Sequence, residues 1–419
     1  MLDKVISIFK IPELRNKILF VIGIMAVFRL GAVIPASSID PERLKNFFSG
    51  NQLFGILNLF TGGSLKQLSI MMLGLSPYIT ALIILQLLTM IFPKLKELYY
   101  GEGERGREIF NFYARLLTVP LAVLQGYGFL VLLSRQGVIE FTSFGLISSV
   151  IVVTGGAVFL MWLGELISRK GVGNGISLLI FAGIISGLPL AAFRAYQTFE
   201  ASQLDDYLLL VLIGVIVIGG VTFITESQRN IPVSYAKRVR GHRVYGGVST
   251  YLPIKVNQAG MIPLIFALSI LIFPQTIFNF LSTVQIPWLA SASLSITRFL
   301  QNQFFFGAFY FLLVVAFTYF YTQITFEPHT IAENLQKSGA FIPGVRPGQE
   351  TASFLSRTVN RITLAGAIFL GMVAVIPLLA QALTGITTLT IGGTAILIVV
   401  AVVLETVRQV EAQLAMREY

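Results

Sequence analysis

Long apolar runs separated by short polar stretches dominate the chain. Ten windows hold mostly apolar residues, near 18–35, 70–92, 113–133, 146–167, 176–195, 207–226, 258–281, 304–325, 362–383 and 387–407. Each approaches the roughly 20 residues that a helix needs to cross lipid, where no water satisfies backbone polar groups. The runs are continuous, not ten-residue alternations, so outer-membrane strands are excluded. The first run is long enough to span and no small-residue cleavage site follows it. The N-terminal segment is therefore expected to stay as span 1 and not to be removed as a signal peptide.

Composition points the same way. Hydrophobic residues make up 55% of the chain and charged residues 12%, with a mean hydropathy of +0.80. Soluble domains carry about 25% charged residues. A chain with half that share cannot cover its surface with polar groups, which excludes a soluble enzyme, a disordered protein and a fibrous protein. Cysteine is absent, so there is no disulfide frame, thiolate metal site or cysteine nucleophile.

The net charge of +10 is explained by sidedness. Lys4, Lys10, Arg15 and Lys17 precede span 1. Lys94, Lys96, Arg105, Arg107 and Arg115 follow span 2, and Arg169 and Lys170 follow span 4. Six more cations, Arg229 to Lys255, follow span 6; Lys337, Arg346, Arg357 and Arg361 follow span 8. The other side holds few cations (Arg43, Lys45, Lys66, Arg135, Arg194, Arg298), and acids such as Asp40, Glu140 and Asp205 offset them. Positive loops face the cytoplasm, and with an even number of spans both termini are expected there.

Three stretches do not read as simple connectors. Residues 54–68, FGILNLFTGGSLKQL, are apolar but too short to cross, and Gly62 and Gly63 interrupt them. Such a segment re-enters beside a transport path or lies as an amphipathic turn at the interface. The cytoplasmic loops 227–257 and 326–361 are long enough to suggest function. The first mixes Lys237, Arg238, Arg240 and Arg243 with tyrosines. That suits a flexible arm docking on an acidic or RNA-rich partner, although positive-inside bias alone also places cations there.

Ionisable residues inside the spans are few. Arg29, Glu165 and Glu405 sit near window ends, where they can snorkel or cap. No mid-span Asp, Glu or His marks an ion relay, which argues against an ion-coupled pump. No catalytic triad, metal spacing or phosphate-cradling glycine loop stands out, and GVGNG at 171–175 reads as a turn. No enzyme activity and no cofactor are expected.

Four segments in order resemble the SecY family of protein-conducting channels: GLSPYITALIILQLLTMIFP at 74–93, GVGNGISLLIFAGIISGLP at 171–189, YGGVSTYLPIKVNQAGMIPLIFA at 245–267 and NLQKSGAFIPGVRPGQET at 334–351. The resemblance runs from about residue 15 to 408. It implies an all-α polytopic membrane protein, with ten transmembrane helices in two pseudo-symmetric, inverted five-helix halves around a central hourglass pore. The divisions would be a cytoplasmic segment 1–17, an N-terminal half 18–195 with a plug at 54–68, an external hinge 196–206, a C-terminal half 207–407 and a tail 408–419.

The resemblance places a pore ring at Leu75, Ile79, Ile176, Ile180, Ile265 and Ile398. Taken alone, the four-residue spacing within each pair is also what ordinary helix packing shows. The ring would dewet and hold back ions while letting an extended polypeptide slide through. Phe54, Ile56, Leu57 and Leu59 would seat the plug, with Gly62 and Gly63 as its hinge. Thr80, Gln125 and Asn257 would line a lateral gate between spans 2–3 and 7–8, through which transmembrane segments leave into lipid. Arg346, with Lys237, Arg238, Arg240 and Arg243, would bind partners. The implied partners are SecE- and SecG-type small subunits, the SecA ATPase, the ribosome including its rRNA, signal peptides, nascent preproteins and membrane lipid. The implied location is the plasma (inner) membrane, with the thylakoid membrane open. The rivals are a small-solute secondary transporter and an intramembrane enzyme; the first needs a polar mid-membrane site and the second a catalytic set.

Overall fold

A computed structural model of the chain describes residues 10–36, 61, 63–65, 67–101, 103–135, 137–197, 204–235, 238–240, 243–245, 249–281, 287–384 and 391–415. Each of the ten apolar windows is occupied by a helix. These are α1 (Pro12–Val33), α2 (Ser76–Ile91), α4 (Gly103–Arg135), α5 (Ser143–Lys170), α6 (Gly175–Gln197), α7 (Leu204–Glu226), α8 (Ile262–Leu281), α10 (Gln303–Thr325), α12 (Gln349–Thr384) and α13 (Ile391–Ala415). Shorter helices α3 (Pro93–Tyr100), α9 (Pro287–Gln301) and α11 (Pro328–Lys337) lie between them. Among the described residues α1, α4, α5, α7, α10 and α12 are each long and apolar enough to cross a membrane. Helix α2 reaches that length only together with α3, across a 117° bend.

Local chemistry sets many of the ends. Proline opens α1, α2, α3 and α11, where its missing N–H costs nothing. Thr142 caps α5 by accepting from the Gly145 amide at 3.2 Å. Asn174 caps α6 by accepting from the Ile176 amide at 3.1 Å. Each satisfies an amide that the first turn leaves without a partner.

The helices pack mainly as two sets. Helices α1 to α6 pack on one another, as do α7 to α13. The sets meet where α8 packs against α2 and α4, and where α13 packs against α6. Small residues permit the tightest approaches: a Cβ on Gly156 of α5 would overlap the Ile70 carbonyl, and one on Gly175 would overlap the Gly164 carbonyl.

Two expectations need correction. Span 2 does not begin at residue 70. The described residues between 61 and 75 wind through turns, and α2 starts only at Ser76. Gly74 sits at φ +58 against the Thr61 backbone, a conformation that leaves the helical region and that only glycine adopts freely.

Nor is loop 227–257 a flexible arm. Strand β1 (Gln228–Tyr235) pairs antiparallel with β4 (Ser249–Lys255) from Gln228–Lys255 to Ser234–Ser249. Strand β5 (Ala340–Phe341), from the other long loop, adds to the free edge of β1. At the tip, β2 (Arg238–Arg240) pairs with β3 (Arg243–Tyr245). Ile231, Val233 and Ile254 from the sheet pack with Ile342 and with Leu355 and Val359 of α12 into a separate small core. The two loops are therefore one folded unit, and α12 begins well before its apolar window because its first turns belong to that core.

Candidate functional site

Leu75 and Ile79 lie one turn apart at the start of α2, with the Ile79 amide donating to the Leu75 carbonyl at 3.0 Å. Ile176 and Ile180 lie one turn apart at the start of α6, Ile265 in the first turn of α8, and Ile398 on α13. Leu75, Ile79, Ile180, Ile265 and Ile398 are each 5% exposed or less, and all five belong to one buried cluster. Ile176 is half-buried and packs against the same cluster. Both helix sets supply this core, and none of the six is an exposed side chain. The outward-facing side chains are others, such as Leu30, Phe144 and Phe223.

The described part of the expected plug segment packs elsewhere. Leu65 and Leu68 are 1% exposed and join a second cluster with Phe129, Leu133 and Val153 of α4 and α5. Leu68 holds φ +41, a backbone state that costs a side-chain-bearing residue energy and persists only where packing over-determines it. Ser64 accepts from the Ser69 amide through its carbonyl at 3.0 Å, and its hydroxyl donates to the Met71 carbonyl at 2.9 Å. Gly63 takes φ +84, a turn that glycine adopts without strain. Phe54, Ile56, Leu57, Leu59 and Gly62 lie outside the described residues.

The three expected gate residues are all buried: Thr80 on α2, Gln125 on α4 and Asn257 just before α8. They lie on or beside helices that pack together, yet no hydrogen bond joins them. Thr80 donates to the Ser76 carbonyl of its own helix at 2.9 Å. The Asn257 amide donates to the Gly260 carbonyl at 3.1 Å, and its Oδ1 is buried without a partner. Strand β4 ends two residues before Asn257, and the Val256 amide donates to the Ser227 carbonyl at 3.0 Å, so the sheet runs directly into this position.

Arg346 is exposed at the tip of the second loop. Gly344 at φ +82 and Gly348 at φ +96 turn the chain on either side of it, and Thr351 donates to its carbonyl at 2.8 Å. Ile342 and Val345 anchor this turn in the small core under the sheet. Arg238, Arg240 and Arg243 lie on the β2–β3 hairpin, with Arg240 opposite Arg243. Lys237 lies outside the described residues.

Sequence reasoning missed two ionic contacts. Glu165 does not merely cap a span: its Oε1 lies 3.0 Å from Arg115 Nε, without the alignment of a hydrogen bond, and accepts a long 3.4 Å bond from the Tyr78 hydroxyl. Arg408 is not simply a tail residue. It donates to Glu226 Oε1 at 3.0 Å and to the Thr225 carbonyl at 2.8 Å, tying α13 to the end of α7. The only sequence signal was a charge beside an apolar window.

The model of the family described as SecY matches residues 69–407. The chain belongs to the SecY family. The SecY protein translocase subunit of Streptomyces coelicolor is 43% identical over 431 residues, covering 98% of this chain and 97% of its own. The SecY subunit of Mycobacterium bovis is 41% identical over 441 residues, covering 100% and 99%. Solved structures share the fold at 18% identity, covering 95% of this chain and 92% of theirs. One, described as the structure of a protein conducting channel, has a TM-score of 0.66; another, described as Sec61 in the canine ribosome-channel complex from the endoplasmic reticulum, has 0.60.

Membership makes the chain a helical polytopic channel protein, the protein-conducting subunit of a bacterial Sec translocase. It is a transport subunit and not an enzyme. It resides in the cell membrane and works with partner subunits, and SecY-family relatives include channels seen in complexes with ribosomes.

Proposed function

We propose that the six aliphatic side chains form the constriction of this channel and that the polypeptide passes between the two helix sets. The observation that supports this reading is that Leu75, Ile79, Ile180, Ile265 and Ile398 are buried in the main apolar core, to which both helix sets contribute, with Ile176 packed against it. Branched apolar side chains exclude water and ions from a narrow opening and make no directional bonds to a moving chain. The segment before α2 is the plug, with Gly63 as part of its hinge.

The seam where α8 meets α2 and α4 is the lateral gate. Its buried polar groups make no hydrogen bond across the seam among the described residues and weaken its apolar packing, so a signal sequence can open it. Asn257 has an acceptor without a partner, so its substitution by leucine removes a desolvation cost from the closed state. Asn257→Leu is expected to raise the hydrophobicity that a signal sequence needs for export. A graded set of signal sequences measures the threshold, and an unchanged threshold removes Asn257 from the gate.

The joined cytoplasmic loops are the docking platform for the SecA ATPase and the ribosome, whose rRNA phosphates suit the basic hairpin. SecE- and SecG-type subunits complete the complex, both termini lie in the cytoplasm, and the driving energy comes from the partners.

The native chain has no cysteine, which gives a clean background for the test. A cysteine at Ile79 is expected to crosslink to a cysteine in a stalled export substrate. A cysteine at the outward-facing Phe223 is expected not to. Equal crosslinking at both positions, or none at Ile79, overturns the assignment.

A further inference from the structure

Helix α2 is unusual among the channel helices. It has 16 residues, bends by 117° into α3 at one end, and follows turns instead of a helix at the other. It nevertheless carries Ile79 and the gate residue Thr80, with Leu75 immediately before its first turn. Something must fix its rotation about its own axis, because a helix turns its side chains by about 100° per residue and a small rotation re-aims all of them.

The contact made by Tyr78 supplies that fix. Tyr78 is 4% exposed and sits next to Ile79 in sequence. Its ring packs in a small cluster with Phe110 and Ala114 of α4 and Met161 of α5, and Ile176 packs on that cluster as well. Its hydroxyl donates to Glu165 Oε1 on α5 at 3.4 Å, and the same oxygen lies 3.0 Å from Arg115 Nε on α4. The Glu165 side chain is only 17% exposed. One carboxylate oxygen thus joins three helices.

An apolar trio would fill this space without desolvating a charge, and such replacements are often neutral or stabilising. What only the polar trio supplies is a directional contact that can be broken and remade. We infer that Tyr78, Glu165 and Arg115 form a positioning clamp: it holds α2 to α4 and α5 so that Leu75 and Ile79 aim into the closed constriction, and its release accompanies opening. The inference rests on the constriction reading above. None of the three residues touches the translocating chain in the closed state; they act through Ile79 and Ile176.

The test uses the complete channel with its small partner subunits, purified and placed in liposomes. Tyr78→Phe removes one oxygen and keeps the ring packing; Glu165→Gln keeps the shape and removes the charge. Resting ion flux is one readout. The other is export of a substrate whose signal sequence is too weakly hydrophobic for the native channel. Losing a hydrogen bond to a charged group shifts a two-state population by about tenfold. Both variants are therefore expected to raise resting flux several-fold and to admit the weak signal sequence.

Folded variants with native flux and a native signal threshold overturn the clamp. Should Glu165→Gln not assemble, Tyr78→Phe carries the test alone. Ile79→Ser in parallel separates the two readings. A leak in Ile79→Ser with none in Tyr78→Phe sinks the clamp and keeps the constriction. If Ile79→Ser does not leak, the constriction reading has failed and the signal threshold decides the clamp.

Discussion

Serine at both Ile79 and Ile180 is expected to make the resting channel leak ions. The two isoleucines are 5% and 1% exposed, on helices of the same cluster. Each contributes about 1.5–3 kcal/mol of apolar burial, and a hydroxyl in its place offers water a hydrogen-bonding partner inside a constriction that otherwise stays dry. Each 1.4 kcal/mol removed from the barrier is tenfold in rate, so the double variant should raise resting conductance at least about tenfold. Ion flux across liposomes carrying the purified complex measures it. The control is Ile79→Leu with Ile180→Leu, which conserves volume and apolarity and should stay tight. A buried hydroxyl without a partner also costs about 1–3 kcal/mol of fold stability, so thermal unfolding is followed alongside. A folded double-serine channel with native flux would remove these residues from the constriction.

Charge reversal at Arg346 is expected to abolish partner-driven export while leaving the subunit assembled. The side chain is exposed, whereas its backbone is held by two left-handed glycines and by Thr351. Substitution at such a surface position usually changes stability by no more than about 0.5 kcal/mol. A central arginine in an interface is worth about 2 kcal/mol or more, roughly thirtyfold in affinity, and reversing its sign adds repulsion. Arg346→Glu should therefore lower export by at least an order of magnitude at native membrane levels. Inverted vesicles supplied with a motor ATPase and a preprotein give the rate, and immunoblotting gives the level. Native export from that variant would take Arg346 out of the docking surface.

Why these residues were legible in part has a physical basis. The ten windows followed from composition, because in lipid a backbone must satisfy its own hydrogen bonds and each helix declares itself by its own apolar length. The start of α2 was not legible. Residues 70–75 are as apolar as the helix that follows, and only the packing of Gly74 on Thr61 turns the chain there. The two long loops were marked by their cations, but the pairing of β1 with β4 and β5 was not visible. It depends on strands distant in sequence meeting over a shared core of Ile231, Ile342 and Leu355. The same limit applies to Glu165, which looked like an end-capping charge because its partners Tyr78 and Arg115 belong to other helices.

The sequence by itself determined that this is a many-spanned helical membrane protein, that its cations gather in alternate loops, and through four motifs in order which family it joins. These properties are local: a run of apolar residues, a count of cations, a string of letters. Only the tertiary structure decided that five of the six aliphatic side chains are buried in the main core with the sixth packed against it, that two long loops are a single folded unit, and that one glutamate contacts two other helices. Those properties depend on which faces of distant segments meet, and a one-dimensional pattern carries the face of each helix but not its partner.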